Sequence, residues 1–470
     1  MGTFFSKNSR IGAAASLAAD VVREAVVDNT DSRAAGRRRY LIAAWSESII
    51  TSLISGIYFT GLLLAVGADD IFIGYVQMAT TFCGILQFFA PLLLERMKRR
   101  KTYLLIMRSV YHMFNIGVIG LIPLLPLSRN AALGAFIVCV IIVNLVSAFS
   151  TMGLNVWKIQ SVPENRHNAF FSVLNIGTSI IGKLAAYAAG QLLDLFERDG
   201  ITLLPQSPTV CAMLILRGAA VLFAAAELLV LAGLREEHYV QDAEARNNRG
   251  LRLLLRPLRD RRFMTAVSIM LLFAFFTAIP GQFFDVYLIN EVGISYAYIS
   301  VCSMIVLPIS LVMTAVWSVL LQRFAWRRML AVAMFGYSFA YFFNLPVTPE
   351  APYFYLWIQV CCCLFNPCFS IVFAYLPYQN MPEENRTAYL GFQSLATTVV
   401  SFVGNVVGTQ FIHLTQGKTL TVFGQEMINI RYIMIIPFLA LILLSVWIYV
   451  AGGLLQKDSA APKLPGTGVR

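Results

Sequence analysis

Runs of about twenty apolar residues recur along the whole of this chain, and no other feature narrows its fold so far. A helix rises about 1.5 Å per residue, so about twenty residues cross the ~30 Å hydrocarbon layer of a bilayer. The runs are too long for strands. A helix also satisfies its backbone donors and acceptors within its own segment, as hydrocarbon requires. Of the 470 residues, 58% are hydrophobic and only 13% charged. A water-soluble domain carries about a quarter charged residues, so lipid must take the place of water around much of this surface.

The apolar runs predict spans near Leu41–Gly67, Ile71–Leu94, Thr102–Leu125, Ala131–Trp157, Ala169–Leu195 and Thr209–Leu234. Six more are expected near Met264–Ile289, Ala297–Leu321, Met329–Leu345, Tyr353–Pro377, Ala388–Leu414 and Tyr432–Leu455. The expected organisation is a cytoplasmic tail over 1–40 and a six-helix bundle over 41–234. A basic linker over 235–263, a second bundle over 264–455 and a cytoplasmic tail over 456–470 follow.

The net charge of +11 belongs to topology rather than to nucleic acid. Alternate loops, counted from the N-terminal tail, hold 29 of the 36 Lys and Arg residues, and the intervening loops hold 4. The positive-inside rule then places both termini in the cytoplasm, with the expected site being the plasma (cytoplasmic) membrane. No cleavable leader is expected, because residues 1–40 are polar and end in Arg37-Arg38-Arg39. The segment Arg235–Arg262 sets leucines beside arginines at helical spacing, which suits an amphipathic helix on the inner membrane surface. A plain flexible linker is the alternative.

The two halves repeat one another. VPENRHNAFFSVLNIG (Val162–Gly177) is echoed by MPEENRTAYLGFQSLA (Met381–Ala396), and YFTGLLLAVGADDIFIG (Tyr58–Gly74) by FDVYLINEVGISYAYIS (Phe284–Ser300). GITLL (Gly200–Leu204) and GKTLT (Gly417–Thr421) keep the same order. A duplicated six-helix unit follows. Between the second and third spans stands PLLLERMKRR (Pro91–Arg100), and the second half carries SVLLQRFAWRR (Ser318–Arg328) in the matching place.

These features together resemble the major facilitator superfamily from about Leu41 to Leu455. Its signature loop, roughly Gly-x-Leu-x-Asp-Arg-x-Gly-Arg-Arg, is met at Leu93, Glu95, Arg96, Arg99 and Arg100; Pro91 and Lys98 stand at the glycine positions. The resemblance implies an all-α integral membrane fold of twelve transmembrane helices in two pseudo-symmetric six-helix bundles. It also implies alternating access, with the bundles rocking about a central site. Glu95 and Arg96 would form an inner gate, Glu95 meeting the start of the eleventh helix near Arg386. The lone arginine of helix 4 and the Gly-Pro kink of helix 5 that mark proton antiporters are missing.

Polar residues inside the spans fall on single helical faces. Helix 1 carries Glu47, Thr51, Ser55 and Tyr58; helix 4 carries Asn144, Ser147, Thr151 and Asn155; helix 5 carries Ser172, Asn175, Ser179 and Lys183. Helix 7 contributes Gln282 and Asp285, helix 10 Gln359, Cys363, Asn366 and Ser370, and helix 11 Gln393, Thr397, Ser401 and Asn405. These are the helices that line the cavity in the resembled fold. Asn144, Lys183, Gln282, Gln359 and Asn366 are the expected substrate-binding residues, with hydrogen bonding between helices as the competing role.

Three buried charges need partners. By helix rise Glu47, Arg108 and Glu227 share a depth of ~10 Å from the inner surface. Two acids facing one arginine leave a carboxylate free to take up a proton, unless the group is a structural ion pair. Lys183 lies ~21 Å from the inner surface and Arg217 ~12 Å below the outer one. Asp285 offers Lys183 a salt bridge that would close the outer mouth.

No chemistry beyond transport is expected. The four histidines are scattered, and neither His-Glu-x-x-His, Gly-x-Ser-x-Gly nor a phosphate loop occurs. The eight cysteines lie almost entirely in apolar runs without ligand spacing. An enzyme, a cofactor, a metal site and a nucleic-acid partner are therefore not expected. The expected function is secondary active transport of a small solute by a lipid-embedded monomer, with proton-coupled uptake of a polar or anionic solute favoured. An efflux permease, or a sensor on the same fold that moves nothing, is the alternative.

Overall fold

The computed structural model describes residues 34–94, 97, 99–159, 162, 167–202, 206–235, 256–281, 283–381, 386–422 and 425–450. They form a fold of twelve helical rods with one short hairpin. These are α1 (Ala34–Ala65), α2 (Asp70–Leu86), α3 (Lys101–Leu124), α4 (Arg129–Ile159), α5 (His167–Asp199) and α6 (Pro208–Ala232). Then come α7 (Arg261–Val292), α8 (Tyr296–Leu321), α9 (Trp326–Asn344), α10 (Phe354–Asn380), α11 (Arg386–Leu414) and α12 (Asn429–Val450). Ten of the described helices are long and apolar enough to cross a bilayer. The rods α5 and α9 fall outside that set; α5 carries Asn175, Ser179 and Lys183. Of the segment Arg235–Arg262 expected as an amphipathic helix, residues 236–255 lie outside the described residues, Arg256–Arg259 form a single 3-10 turn, and Arg261 already begins α7 behind its cap Asp260.

Local chemistry sets the helix ends. Asp69 accepts the Phe72 N–H at 2.8 Å and starts α2, and Ser207 with Pro208 at the first helical position starts α6. Asp260 accepts from the Arg262 and Phe263 amides at the head of α7. Gly293, at φ 67°, closes α7 in the left-handed conformation that costs glycine least. Two rods differ from their expected lengths in ways that matter. The first helix already includes Ala34, the first described residue, inside the expected polar tail, and α4 runs to Ile159 and so carries Lys158 into the helix.

Helix α7 is not the single rod its apolar run suggests. Its first segment ends at Ala278, and Pro280-Gly281 intervenes before Phe283–Tyr287, because proline removes a backbone donor and Gly281 takes φ 47°. In α3 the stretch Met113–Val118 widens to π-helix. Between α11 and α12 a small antiparallel hairpin pairs β1 (Leu420–Val422) with β2 (Gln425–Met427).

Two compact units are distinguished; their described residues fall within 34–62 with 89–235, and within 63–88 with 256–450. In the first, α1 packs against α5 and α6, and α3 against α4. Small residues bring α1 and α5 close. A Cβ on Gly182 would meet the Ser48 hydroxyl oxygen at 2.6 Å, and Ser48 Oγ donates to the Thr178 carbonyl at 2.8 Å. In the second unit α9 packs against α10 and α12, and α11 lies between α2 and α7. Outward faces are apolar: Leu222 and Leu229 on α6 and Leu443 on α12 each leave more than two thirds of their surface exposed. Such a surface is stable against lipid and not against water.

Candidate functional site

A cavity of about 510 Å³ opens inside the second unit between α2, α7, α10 and α11. Residues four apart face it from two helices, Gln77 and Thr81 on α2 and Thr397, Ser401 and Asn405 on α11, as the helical repeat dictates. Helix α7 contributes Met270, Phe273 and Thr277, and α10 contributes Phe373. The Phe273 and Phe373 ring centroids are 5.4 Å apart and edge to face, so one wall is aromatic. A neighbouring void of about 10 Å³, lined by Gln77, Asn405 and Thr409, has room for one water.

Glycines let the walls meet. At Gly404 a Cβ would stand 2.6 Å from the Phe275 carbonyl oxygen, and at Gly408 it would overlap the Ile279 carbonyl oxygen. The backbone of α11 therefore lies directly against the carbonyls of α7 ahead of the Pro280 break.

Hydrogen bonding then fixes which polar atoms remain free. The Thr81 hydroxyl donates to the Gln77 carbonyl at 2.9 Å, so its oxygen can only accept from Asn405. The Asn405 amide nitrogen donates to it at 2.8 Å. That contact turns Asn405 Oδ1 away, and this atom has no partner although Asn405 is only 4% exposed. Thr397 Oγ1 is buried and likewise without a partner. A buried polar atom without a partner costs about 1–3 kcal/mol, which a bound solute or water would recover.

The first unit holds a separate cluster of charges. Arg108 contacts Glu227 at 2.8 Å and Glu47 at 3.0 Å, so the geometry is that of an ion pair shared by two acids. His112 Nε2 lies 3.1 Å from Glu227 Oε2, and Lys158 Nζ donates to Glu47 Oε2 at 2.9 Å. The charge count made from the spans is corrected here. The apolar run of helix 4 stops short of Lys158 and leaves it to the following loop, but α4 reaches far enough to supply a second cation, so no carboxylate is left over. Both Lys158 and His112 escaped the sequence reading; the i, i+4 spacing of Arg108 and His112 was the available signal.

The remaining expected residues are placed as follows. Asn144 donates to the Val140 carbonyl of its own helix at 2.8 Å, and Gln359 to the Tyr355 hydroxyl at 2.6 Å. Asn366 is exposed on α10, and Asp285 is half-buried on α7. Lys183 is half-buried on α5. Arg217 is buried and donates to the Asn115 and Ile116 carbonyls, at 2.5 and 3.4 Å, in the π-helical stretch of α3. Its Nη1 is thus engaged by backbone carbonyls of α3. Gln282, Glu95 and Arg96 lie outside the described residues; Arg386 begins α11. None of Asn144, Lys183, Gln359 and Asn366 lines the cavity, whereas three members of the helix 11 stripe do. Gln77, Thr81 and Thr277 escaped the sequence reading, although Gln77 and Thr81 form a polar i, i+4 pair within an apolar span.

Ten helices long and apolar enough to cross a bilayer, with outward apolar faces and an internal cavity lined by hydroxyl, amide and aromatic side chains, define a multi-pass membrane protein. The model of the Major Facilitator Superfamily matches residues 40–405, and the chain belongs to that family of secondary transporters. Solved structures similar in fold include a mutant of the nucleoside transporter NupG, at TM-score 0.65 and 12% identity over 88% of this chain and 98% of that one. The POT family transporter PepTSo aligns at TM-score 0.64 and 11% identity, over 90% and 99% of the two chains. The xylose transporter XylE from E. coli aligns at 0.58 and 13%, over 91% and 97%. At these identities the likeness is one of fold. No curated protein matches the chain in sequence.

Proposed function

We propose that this transporter takes a small polar solute into the cell by alternating access, with the cavity of the second unit as part of its solute site. The observation that carries the reading is the unpartnered Asn405 Oδ1, oriented by Thr81 and buried at a cavity of solute size. The proposed moving halves are the two bundles, 41–234 and 264–455, of a monomer. The chain lies in the plasma membrane with both termini cytoplasmic, which the distribution of Lys and Arg supports. Import is favoured over efflux by the missing antiport marks in helices 4 and 5. Arg217, which hydrogen-bonds backbone carbonyls, lends import no support. Coupling to protons through a surplus carboxylate loses its basis once Lys158 joins the Glu47–Arg108–Glu227 cluster.

The names of the fold relatives supply a first panel: a nucleoside, xylose and a small peptide. Full-length protein in liposomes, given an inward gradient of each radiolabelled solute with and without an inward proton gradient, is expected to accumulate at least one of them. Asn405→Leu is expected to reduce that uptake at least tenfold. Equal uptake in empty liposomes for every solute, or efflux without influx, would sink the reading.

A further inference from the structure

Three hollows follow one another along α2, α7 and α11 within the second unit. The large cavity reaches Gln77, Gly281 and Asn405; the 10 Å³ void shares those three residues and extends to Gly74, Phe283 and Thr409. The way narrows there, because Thr409 is buried and a Cβ on Gly74 would stand 2.6 Å from its hydroxyl oxygen. One to two helical turns further on, a pocket of about 240 Å³ begins at Asp70, Val286 and Gln416. By the topology proposed above, this pocket lies on the outer side.

Its frame is fixed by short-range chemistry. Gly417, at φ 73°, turns the chain between Gln416 and Lys418. The Asn429 amide nitrogen donates to the Ile412 carbonyl at 3.2 Å and its oxygen accepts the Ile430 N–H at 2.9 Å, which ties the start of α12 to the end of α11. Tyr287 spends its hydroxyl on the Val347 carbonyl at 2.7 Å and so offers the pocket its ring, beside Val286, Ile428 and Ile430.

Unlike the cavity, this pocket is charged. Asp70 and Glu291 bring two carboxylates to it and Lys418 an ammonium group. Asp70 stands near enough to Asp69 and Glu291 to be repelled by both. Among the described residues none of Asp70, Glu291 and Lys418 makes an ion pair, although acid and base share one small space. An anion alone would meet the two carboxylates, and a cation alone would meet Lys418, so either carries a like-charge cost. A molecule with both charges meets neither cost. Among the described residues no three His, Cys, Asp or Glu side chains come together to hold a metal ion, whereas an ammonium group is satisfied by single acceptors. The volume lies below the ~300–1,000 Å³ of sites for drug-sized ligands, which limits the occupant to a small molecule.

We propose that this outer pocket binds a small zwitterion of the amino-acid type, with its ammonium group at Asp70 and Glu291, its carboxylate at Lys418 and an apolar side chain against Val286, Ile428 and Ile430. Its alignment with the void and the cavity makes it the first station of the solute's path. The inference rests on the transport reading above and narrows its solute from polar to zwitterionic.

The test uses the full chain and probes that differ by one charge. Binding of L-leucine and L-alanyl-L-leucine to purified protein is compared with that of L-leucinamide, which lacks the carboxylate, and leucic acid, which lacks the ammonium group; uptake of each is followed in liposomes. At least one zwitterion is expected to bind at least tenfold more tightly than both single-charge probes. Lys418→Met, and Asp70→Asn combined with Glu291→Gln, are each expected to weaken that binding at least fivefold, in variants whose melting temperature is within a few degrees of the parent. Equal or tighter binding of leucinamide or leucic acid, unchanged binding in either variant, or no binding by any probe overturns the zwitterion site. Uptake of D-xylose or uridine without zwitterion binding overturns the site and keeps transport. Zwitterion binding that the variants weaken, without uptake of any solute, keeps the site and overturns transport.

Discussion

Arg108 and Glu227 lie 119 residues apart in sequence and meet at 2.8 Å in the first unit, where the Glu227 side chain is wholly buried. Neither charge would be tolerated there alone. Removing one partner of a buried pair costs about 3–5 kcal/mol, because the other is left uncompensated. Arg108→Leu is therefore expected to lower the melting temperature sharply, and Arg108→Leu with Glu227→Gln to recover at least half of the loss. Lys158→Met should cost about 1 kcal/mol or less, because its partner Glu47 is 40% exposed. Thermal unfolding of the purified variants checks the order. A double variant no better than Arg108→Leu would show that the pair is not the unit of stability.

Close approach of α11 to α7 depends on the missing side chain at Gly408. In Gly408→Ala the new methyl group would overlap a backbone carbonyl, which cannot rotate away. A loss of about 1–3 kcal/mol is expected from such overpacking, together with slowed transport. Gly134→Ala, where a Cβ would meet nothing within 4 Å, is the matched control and should melt and transport like the parent. Equal behaviour of the two variants would remove the packing argument.

Orientation is checked at the first residue of α2. A cysteine at Asp70, labelled with a maleimide that cannot cross the membrane, should react in intact cells. The native cysteines are buried or half-buried, so the parent gives a low background. Labelling that requires permeabilised cells would reverse the assigned topology.

The signature loop between α2 and α3 makes a prediction through family membership. Glu95→Gln and Arg386→Ala are each expected to slow transport severalfold while leaving membrane insertion intact. Full transport rates in both, measured in liposomes at matched protein levels, would detach this loop from gating.

Reading the sequence was sufficient for the helices and the family because both are local or periodic properties. About twenty apolar residues in a row specify a span regardless of what they touch, and the repeat of Val162–Gly177 in Met381–Ala396 is visible without coordinates. Glu47, Arg108 and Glu227 could be grouped for the same reason, since helix rise alone sets their depth.

What the sequence could not contain is which faces meet. The polar stripe Thr397, Ser401 and Asn405 was legible, but its partners Gln77 and Thr81 come from a helix more than three hundred residues away in the chain. Lys158 joined the charged cluster because α4 extends past the end of its apolar run, held there by its neighbours rather than by hydropathy. The direction of the Asn405 amide depended on a single hydroxyl proton, committed by Thr81 to its own helix. Composition and periodicity determined that this chain spans a membrane, and its repeated motifs carried the resemblance that implies transport. Only tertiary packing decided which of its many polar atoms were left without a partner, because a hydrogen bond is settled by distances of a few tenths of an ångström between segments remote in sequence.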